Sequence, residues 1–330
     1  MSNSGLQTTT TKRKQTVSYK NWKKRSEGSL KSSGTAFIRQ VVGLWRKYQE
    51  KGVQCYMNKL LHSIFFLGHI HKDSLPPTAF FESSEGEEVI KDLKCTFPEL
   101  FDKYWHAPDQ TPFSILLDLA VEICGHEEEE GIKRFLLDFL KQLGLPDKIK
   151  GENNYTNYYT LEATVIAVCY NKSKGVKYYG ASLSCRGDKE KNIMINWSCL
   201  NVWHDYVSYA VLSFRHEEQG NGIRFPDTVK CRAFNRNHQT NCYVKRMPCK
   251  NCGDLFSLSN PETDRNDFPY GNCAETECLS KLLLHDQDVC SNMSFGHYTR
   301  ENVLDKLKGL RCNVTQHFTV MSTPVVFGRM

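Results

Sequence analysis

The sequence lacks a long apolar run. Its longest candidate, Ser63 to Ile70, is short and broken by Gly68 and His69, whereas crossing a bilayer takes about 18–20 consecutive apolar residues. The opening stretch, MSNSGLQTTTTKRKQ, has no apolar segment, so no secretory signal is expected. Basic charge is also scarce once the first 35 residues are set aside. That segment holds Lys12, Arg13, Lys14, Lys20, Lys23, Lys24, Arg25 and Lys31 against Glu27 alone, +7 within a net +6 for the chain. The remainder is close to −1, which excludes the broad basic face of a dedicated DNA-binding protein.

What is present is enough apolar material for real cores: 40% of 330 residues are hydrophobic, a length that suggests about two domains. With no signal and no span, the chain is expected in the cytoplasm. The clusters Lys12–Lys14 and Lys23–Arg25 are compatible with a nuclear address, a loose nucleic-acid contact or a plain solvated tail. In a reducing compartment the 14 cysteines read as buried small hydrophobes or metal ligands rather than a disulfide framework. The sequons at Asn154, Asn171, Asn196, Asn292 and Asn313 then stay unmodified.

Three segments follow from composition and period. Residues 1–34 read as a disordered, Ser/Thr/Lys-rich basic tail. Residues 35–150 read as an all-helical domain of four to six helices, with apolar positions such as Phe37, Ile38, Val41, Val42 and Trp45 at helical spacing. Residues 151–330 change texture. Tyr158–Tyr170 and Val176–Ser184 predict a β-hairpin, and the stretch holding Trp197, Trp203, Tyr206, Tyr209 and Phe214 looks less regular. Strand-like runs at Val229–Phe234 and Cys242–Met247 precede helical patterns near Cys252–Leu258, Ala274–His285 and Arg300–Leu310. Strand-like Val314–Met321 and Pro324–Phe327 close the chain. The fold class expected is α+β, with a boundary near residues 148–155.

The densest chemical signal lies between Cys242 and Glu277. A strand ends at Pro248, Cys249 and Cys252 open one helix, and Cys273 opens another with Glu275 two residues on. Helix N-termini favour thiolate over thiol. Three thiolates around one Zn²⁺ leave its fourth tetrahedral position for water, the arrangement of a catalytic site.

These motifs resemble those of the zinc-dependent cytidine deaminase superfamily. Pro248-Cys249-Lys250-Asn251-Cys252 is similar to its Pro-Cys-x-x-Cys motif and Cys273-Ala274-Glu275 to its Cys/His-Ala-Glu motif. The order of the two is reversed here, and the likeness covers at most residues 155–330. The resemblance implies a deaminase-like sandwich of sheet and flanking helices, with Cys249, Cys252 and Cys273 as zinc ligands. It implies Glu275 as the proton carrier in hydrolytic deamination of a nucleobase-, nucleoside- or nucleotide-like substrate. Either such a small molecule or a nucleic acid is then the partner, with the helical half available to a protein.

Other readings of the same residues stand beside this one. Cys249, Cys252, Cys273 and Cys278 also fit C-x₂-C…C-x₄-C, close to a closed structural zinc ribbon. Helical spacing, however, turns Cys278 toward the core face with Ala274 and Leu282. Asn272-x-x-Glu275 is a capping-box pattern, and Cys249-x-x-Cys252 fits a redox pair. In the non-enzymatic alternative the chain is an interaction protein whose zinc only staples the second domain. Weaker candidates are His204-Asp205, His216-Glu217-Glu218, His238 with Cys242, and the tyrosines 158, 159, 178 and 179 as base-stacking surfaces. His285 suits a helix end, and His69 and His71 receive no role.

Overall fold

The computed structural model describes residues 7–48, 52–71, 73–82, 84–143, 161–217, 220–237, 239–258 and 268–320, with side chains of the first helix described from Glu27 onward. Helices fill the first half: α1 (Gln7–Lys47), α2 (Val53–Ile70), α3 (Ser84–Thr96), α4 (Pro98–Asp102), α5 (Pro112–Cys124) and α6 (Glu129–Gln142). Pro112 stands at the first turn of α5, where a missing N–H costs nothing. Glu129 and Glu130 open α6 and complement its dipole.

The second half is α+β. Strands β1 (Val165–Asn171) and β2 (Lys177–Ala181) form the expected hairpin, followed by α7 (Asp188–Asn201) and α8 (Asp205–His216). A second hairpin, β3 (Val229–Asn237) and β4 (Cys242–Arg246), leads into α9 (Lys250–Phe256), α10 (Ala274–His285), α11 (Gln287–Ser291) and α12 (Arg300–Val320). The strands lie in the order β2-β1-β3-β4 with every neighbour antiparallel.

Alternation along β1 divides the core into two. Ile166 and Val168, with Tyr179, Ala181 and Phe234 on neighbouring strands, belong to the apolar cluster of α1, α2, α5 and α6. Ala167 and Cys169, with Ala233, belong to the cluster of α8, α9, α10 and α12. Successive side chains of a strand point to opposite faces, so the sheet is covered on both sides. One layer is helices from the first half, the other is helices from the second. The helical core therefore continues onto the sheet. Residues 144–160, where the boundary was expected, lie outside the described residues.

Helix α1 opens at Gln7, and its Leu30 is fully buried, so packing begins before residue 35. Leu30 lies on the same face as Phe37, Ile38 and Val41, and a helix propagates readily from a packed turn; residues 1–6 lie outside the described residues. The stretch around Trp197 and Phe214 is two helices, not irregular. In α7, Ile193, Met194, Ile195, Trp197 and Cys199 are all buried; burial on several sides erases a single-faced period. The run from Val314 is the continuation of α12, because Val303, Leu307, Leu310 and Val314 form one buried helical stripe. β1 starts at Val165 rather than near Tyr158. Residues 158–160 and 324–327 lie outside the described residues.

Candidate metal centre

The sulfurs of Cys249, Cys252 and Cys273 come together at two helix starts. Cys249 is the residue that precedes α9, and Cys252 sits one turn later on the same end. Cys273 holds the same position before α10. Two contacts fix the return from α9 to α10. The Asn251 side-chain amide donates to the Phe268 carbonyl at 2.9 Å, and the Tyr270 hydroxyl donates to Asp254 at 3.0 Å. Gly271, at φ 94°, then turns the chain: a β-carbon there would lie 3.0 Å from Ile195 and Val211. Only glycine takes that conformation in that space without strain.

The resulting geometry suits a metal. Cys249 Sγ lies 3.5 Å from Cys252 Sγ and 3.4 Å from Cys273 Sγ. All three sulfurs lie within 4.8 Å of one another. Zn–S bonds of about 2.3 Å in a tetrahedron require sulfurs about 3.8 Å apart, so a small shift accommodates the ion. The electrostatics agree. The neighbouring thiols of Cys252 and then Cys273 hold Cys249 far below the usual thiol range, while Cys252 and Cys273 are pushed well above it by Cys249.

Glu275 lies beside this cluster. It is 4% exposed, and burial pushes its carboxyl up to about 7, with the Cys249 charge adding to the rise. Its own backbone N–H and the Cys252 thiol bind the carboxylate and offset part of that cost.

The competing sequence patterns fare differently. Cys278 turns to the sheet, its sulfur 3.9 Å from Cys231 Sγ and 3.5 Å from the Glu275 carbonyl, and Cys169 donates to the Cys278 carbonyl at 2.9 Å. It is not part of the cluster, and no fourth Cys, His or carboxylate joins the three among the described residues. The capping box is not formed either. Cys273, not Asn272, precedes the first helical residue, and Asn272 Oδ1 is buried without a hydrogen-bond partner among the described residues.

His204 caps α8, its Nδ1 accepting from the Tyr206 N–H at 3.2 Å, with Nε2 3.5 Å from Cys290 Sγ. His285 Nδ1 meets the Lys281 carbonyl at 2.8 Å at the end of α10. Tyr179 donates to the His126 carbonyl at 2.8 Å and Tyr178 stacks on His285, so both pack rather than offer free faces. His216 ends α8, Glu217 accepts from Asn221, and Cys242 lies 2.9 Å from Thr240 Oγ1, outside the cluster. Tyr158, Tyr159, Glu218 and His238 lie outside the described residues.

Sequence reasoning missed a cavity of about 200 Å³ that borders Cys273 between α5 and α10. On its wall Lys281 donates to Asp118 at 2.6 Å and to Glu277 at 2.8 Å, and Gln110 donates to the same two carboxylates at 2.8 and 2.7 Å. Glu277-x-x-x-Lys281 was visible as an i,i+4 pair. Its partners on α5 come from more than 150 residues away in sequence and left no local signal.

The chain matches no protein-family model, no curated protein sequence and no solved structure. No helix among the described residues is long and apolar enough to cross a membrane.

Proposed function

We propose that Cys249, Cys252 and Cys273 hold one Zn²⁺ and that the site hydrolyses an amino group from a nucleobase-, nucleoside- or nucleotide-like ring. The observation that carries this reading is the convergence of two helix starts on three sulfurs, with the Glu275 carboxylate beside them and no fourth protein ligand among the described residues. A zinc ion held by three thiolates supplies hydroxide near neutral pH, because it lowers the pKa of water to about 7. Glu275 would move protons at its carboxylate oxygens. Of the two protons of the attacking water, one leaves with the amine as ammonia and the other stays on the ring nitrogen. The resemblance to the deaminase superfamily, with its motifs in reversed order, and the cytoplasmic or nuclear setting belong to this proposal.

A second reading is favoured by the burial of Glu275. In it the metal only fastens α9 to α10, the fold is an inactive relative of the deaminase sandwich, and the helical half binds a protein. Purified chain should contain about one zinc under either reading. Glu275→Gln should keep the metal and lose ammonia release if the site is hydrolytic. Retained ammonia release in that variant removes Glu275 from the chemistry. A zinc-loaded wild type that releases no ammonia from the bases, nucleosides and nucleotides supports the fastening role.

A further inference from the structure

The cavity between α5 and α10 is separate from the sulfur cluster. Of that cluster only Cys273 lines it, and Glu275 does not. Its charge is one-sided: Asp109, Asp118 and Glu277 line it, and among the described residues Lys281 is the only basic side chain on its wall. All three ammonium protons of Lys281 are taken, by Asp118 Oδ1 at 2.6 Å, Glu277 Oε1 at 2.8 Å and the Tyr179 carbonyl at 3.0 Å. Both side-chain amide protons of Gln110 are taken too, by Asp118 at 2.8 Å and Glu277 at 2.7 Å. The ammonium and amide donors of the wall are thus spent, while acceptors are left over. Gln110 Oε1 accepts from no described residue, and the exposed Asp109 carboxylate forms no ion pair with one.

Ser198 on α7 gives a second, independent sign. It is only 3% exposed, it lines the cavity, and its hydroxyl has no hydrogen-bond partner among the described residues. A buried hydroxyl without a partner is costly, and a polar group seated in the cavity removes that cost. The rest of the lining is largely apolar, with Met194, Val202 and Trp203. A volume of about 200 Å³ falls below the ~300–1,000 Å³ of drug-sized sites and suits one ring with a short chain.

We propose that this cavity binds a small protonated amine carrying one apolar group, with Ser198, Gln110 and Asp109 receiving the ammonium and Met194, Val202 and Trp203 the apolar end. An ammonium brings three donors and no acceptor, the complement of a wall whose own donors are spent. The surplus of negative charge favours it over a neutral or anionic head group. Asp109 and Gln110 precede α5 in the first half, and Ser198 belongs to the second. An occupant therefore ties the two halves together and raises the melting temperature.

The test titrates the full-length protein calorimetrically at pH ~7 with 2-phenylethylamine, 2-phenylethanol and 3-phenylpropionate. These share one ring and differ in the head group, cationic, neutral or anionic. The amine should bind about ten-fold more tightly than the alcohol, and the carboxylate most weakly. Ser198→Ala and Asp109→Asn should each weaken the amine about five-fold, and Asp109→Asn should leave the alcohol within about two-fold. Asp109 is exposed, so its variant reads binding rather than folding. An alcohol or carboxylate that binds as tightly as the amine overturns the assignment, and so does the failure of all three to bind. Amine affinity unmoved by both substitutions also overturns it, because the amine would then sit elsewhere, on the metal for example.

Discussion

The backbone of α10 passes so close over Gly180 that a β-carbon there would lie 2.5 Å from the carbonyl oxygen of Ala274. Ala274 is the first residue of α10, directly after Cys273, so the missing side chain on β2 lets the start of α10 lie close against the sheet. Gly180→Ala should therefore push the start of α10 off the sheet, at a cost of about 1–3 kcal/mol. It should also lower zinc occupancy at limiting metal. Thermal unfolding with and without zinc, read beside metal content, checks both; unchanged metal affinity would show that the sheet does not set the sulfur positions.

Cys278 is the residue that separates an open three-sulfur site from a closed quartet. Its sulfur faces Cys231 and the sheet. Cys278→Ser is expected to retain about one zinc per chain, whereas Cys273→Ser should bind much more weakly. Elemental analysis after gel filtration distinguishes them. Equal loss of metal in both variants would place Cys278 among the ligands.

Lys281 joins the two halves of the molecule through Asp118 on α5. Lys281→Met leaves Asp118 and Glu277 facing each other without a cation. With the side chains of Lys281 and Asp118 still 21% and 28% exposed, the expected loss is about 3 kcal/mol, the low end for a broken buried pair. The loss should shrink in acid as the carboxylates take up protons. Urea unfolding at neutral pH and near pH ~4 measures it; a loss that does not change with pH would mean the lysine acts by packing alone.

Asp286 caps α11, accepting from the N–H groups of Asp288 and Val289 at 3.1 and 3.2 Å, from Lys174 at 2.9 Å and from Asn171 at 3.1 Å. Burial alone would raise its pKa, but the bonds from Lys174 and Asn171 outweigh that and hold it below the usual aspartate range. A depressed carboxyl contributes stability that is complete above its unfolded pKa of ~3.9 and disappears as pH falls through the folded value. Asp286→Ala should cost about 1–2 kcal/mol at neutral pH, with the gap to wild type closing in acid. Parallel denaturation curves across that range would contradict the cap.

Much of the fold was legible in one dimension. The helices of residues 53–142 announced themselves by apolar spacing and by Pro, Gly and acidic punctuation. The hairpins showed through runs of β-branched and aromatic residues. α7 and α8 were not legible, because residues buried on several sides have no polar face to mark a period. Residues from Val314 onward were misread for a related reason. A β-branched residue suggests a strand locally, yet it completes a helical stripe begun at Val303.

The candidate site divides in the same way. Its cysteines and Glu275 were singled out by spacing at two helix starts, because local rules govern where a helix begins and which residues its first turn presents. That Cys278 turns away from the other three was already legible in its helical spacing, whereas the meeting of Cys273 with Cys249 and Cys252 depends on the close packing of α10 over Gly180 and on the turn at Gly271. The cavity and the Asp118–Lys281–Glu277 ring exist only because α5 packs against the sheet beside α10. Those contacts join residues more than 150 positions apart. Sequence alone determines local periodicity and helix ends, since these depend on neighbours along the chain; the meeting of distant groups follows from how whole layers bury their apolar faces.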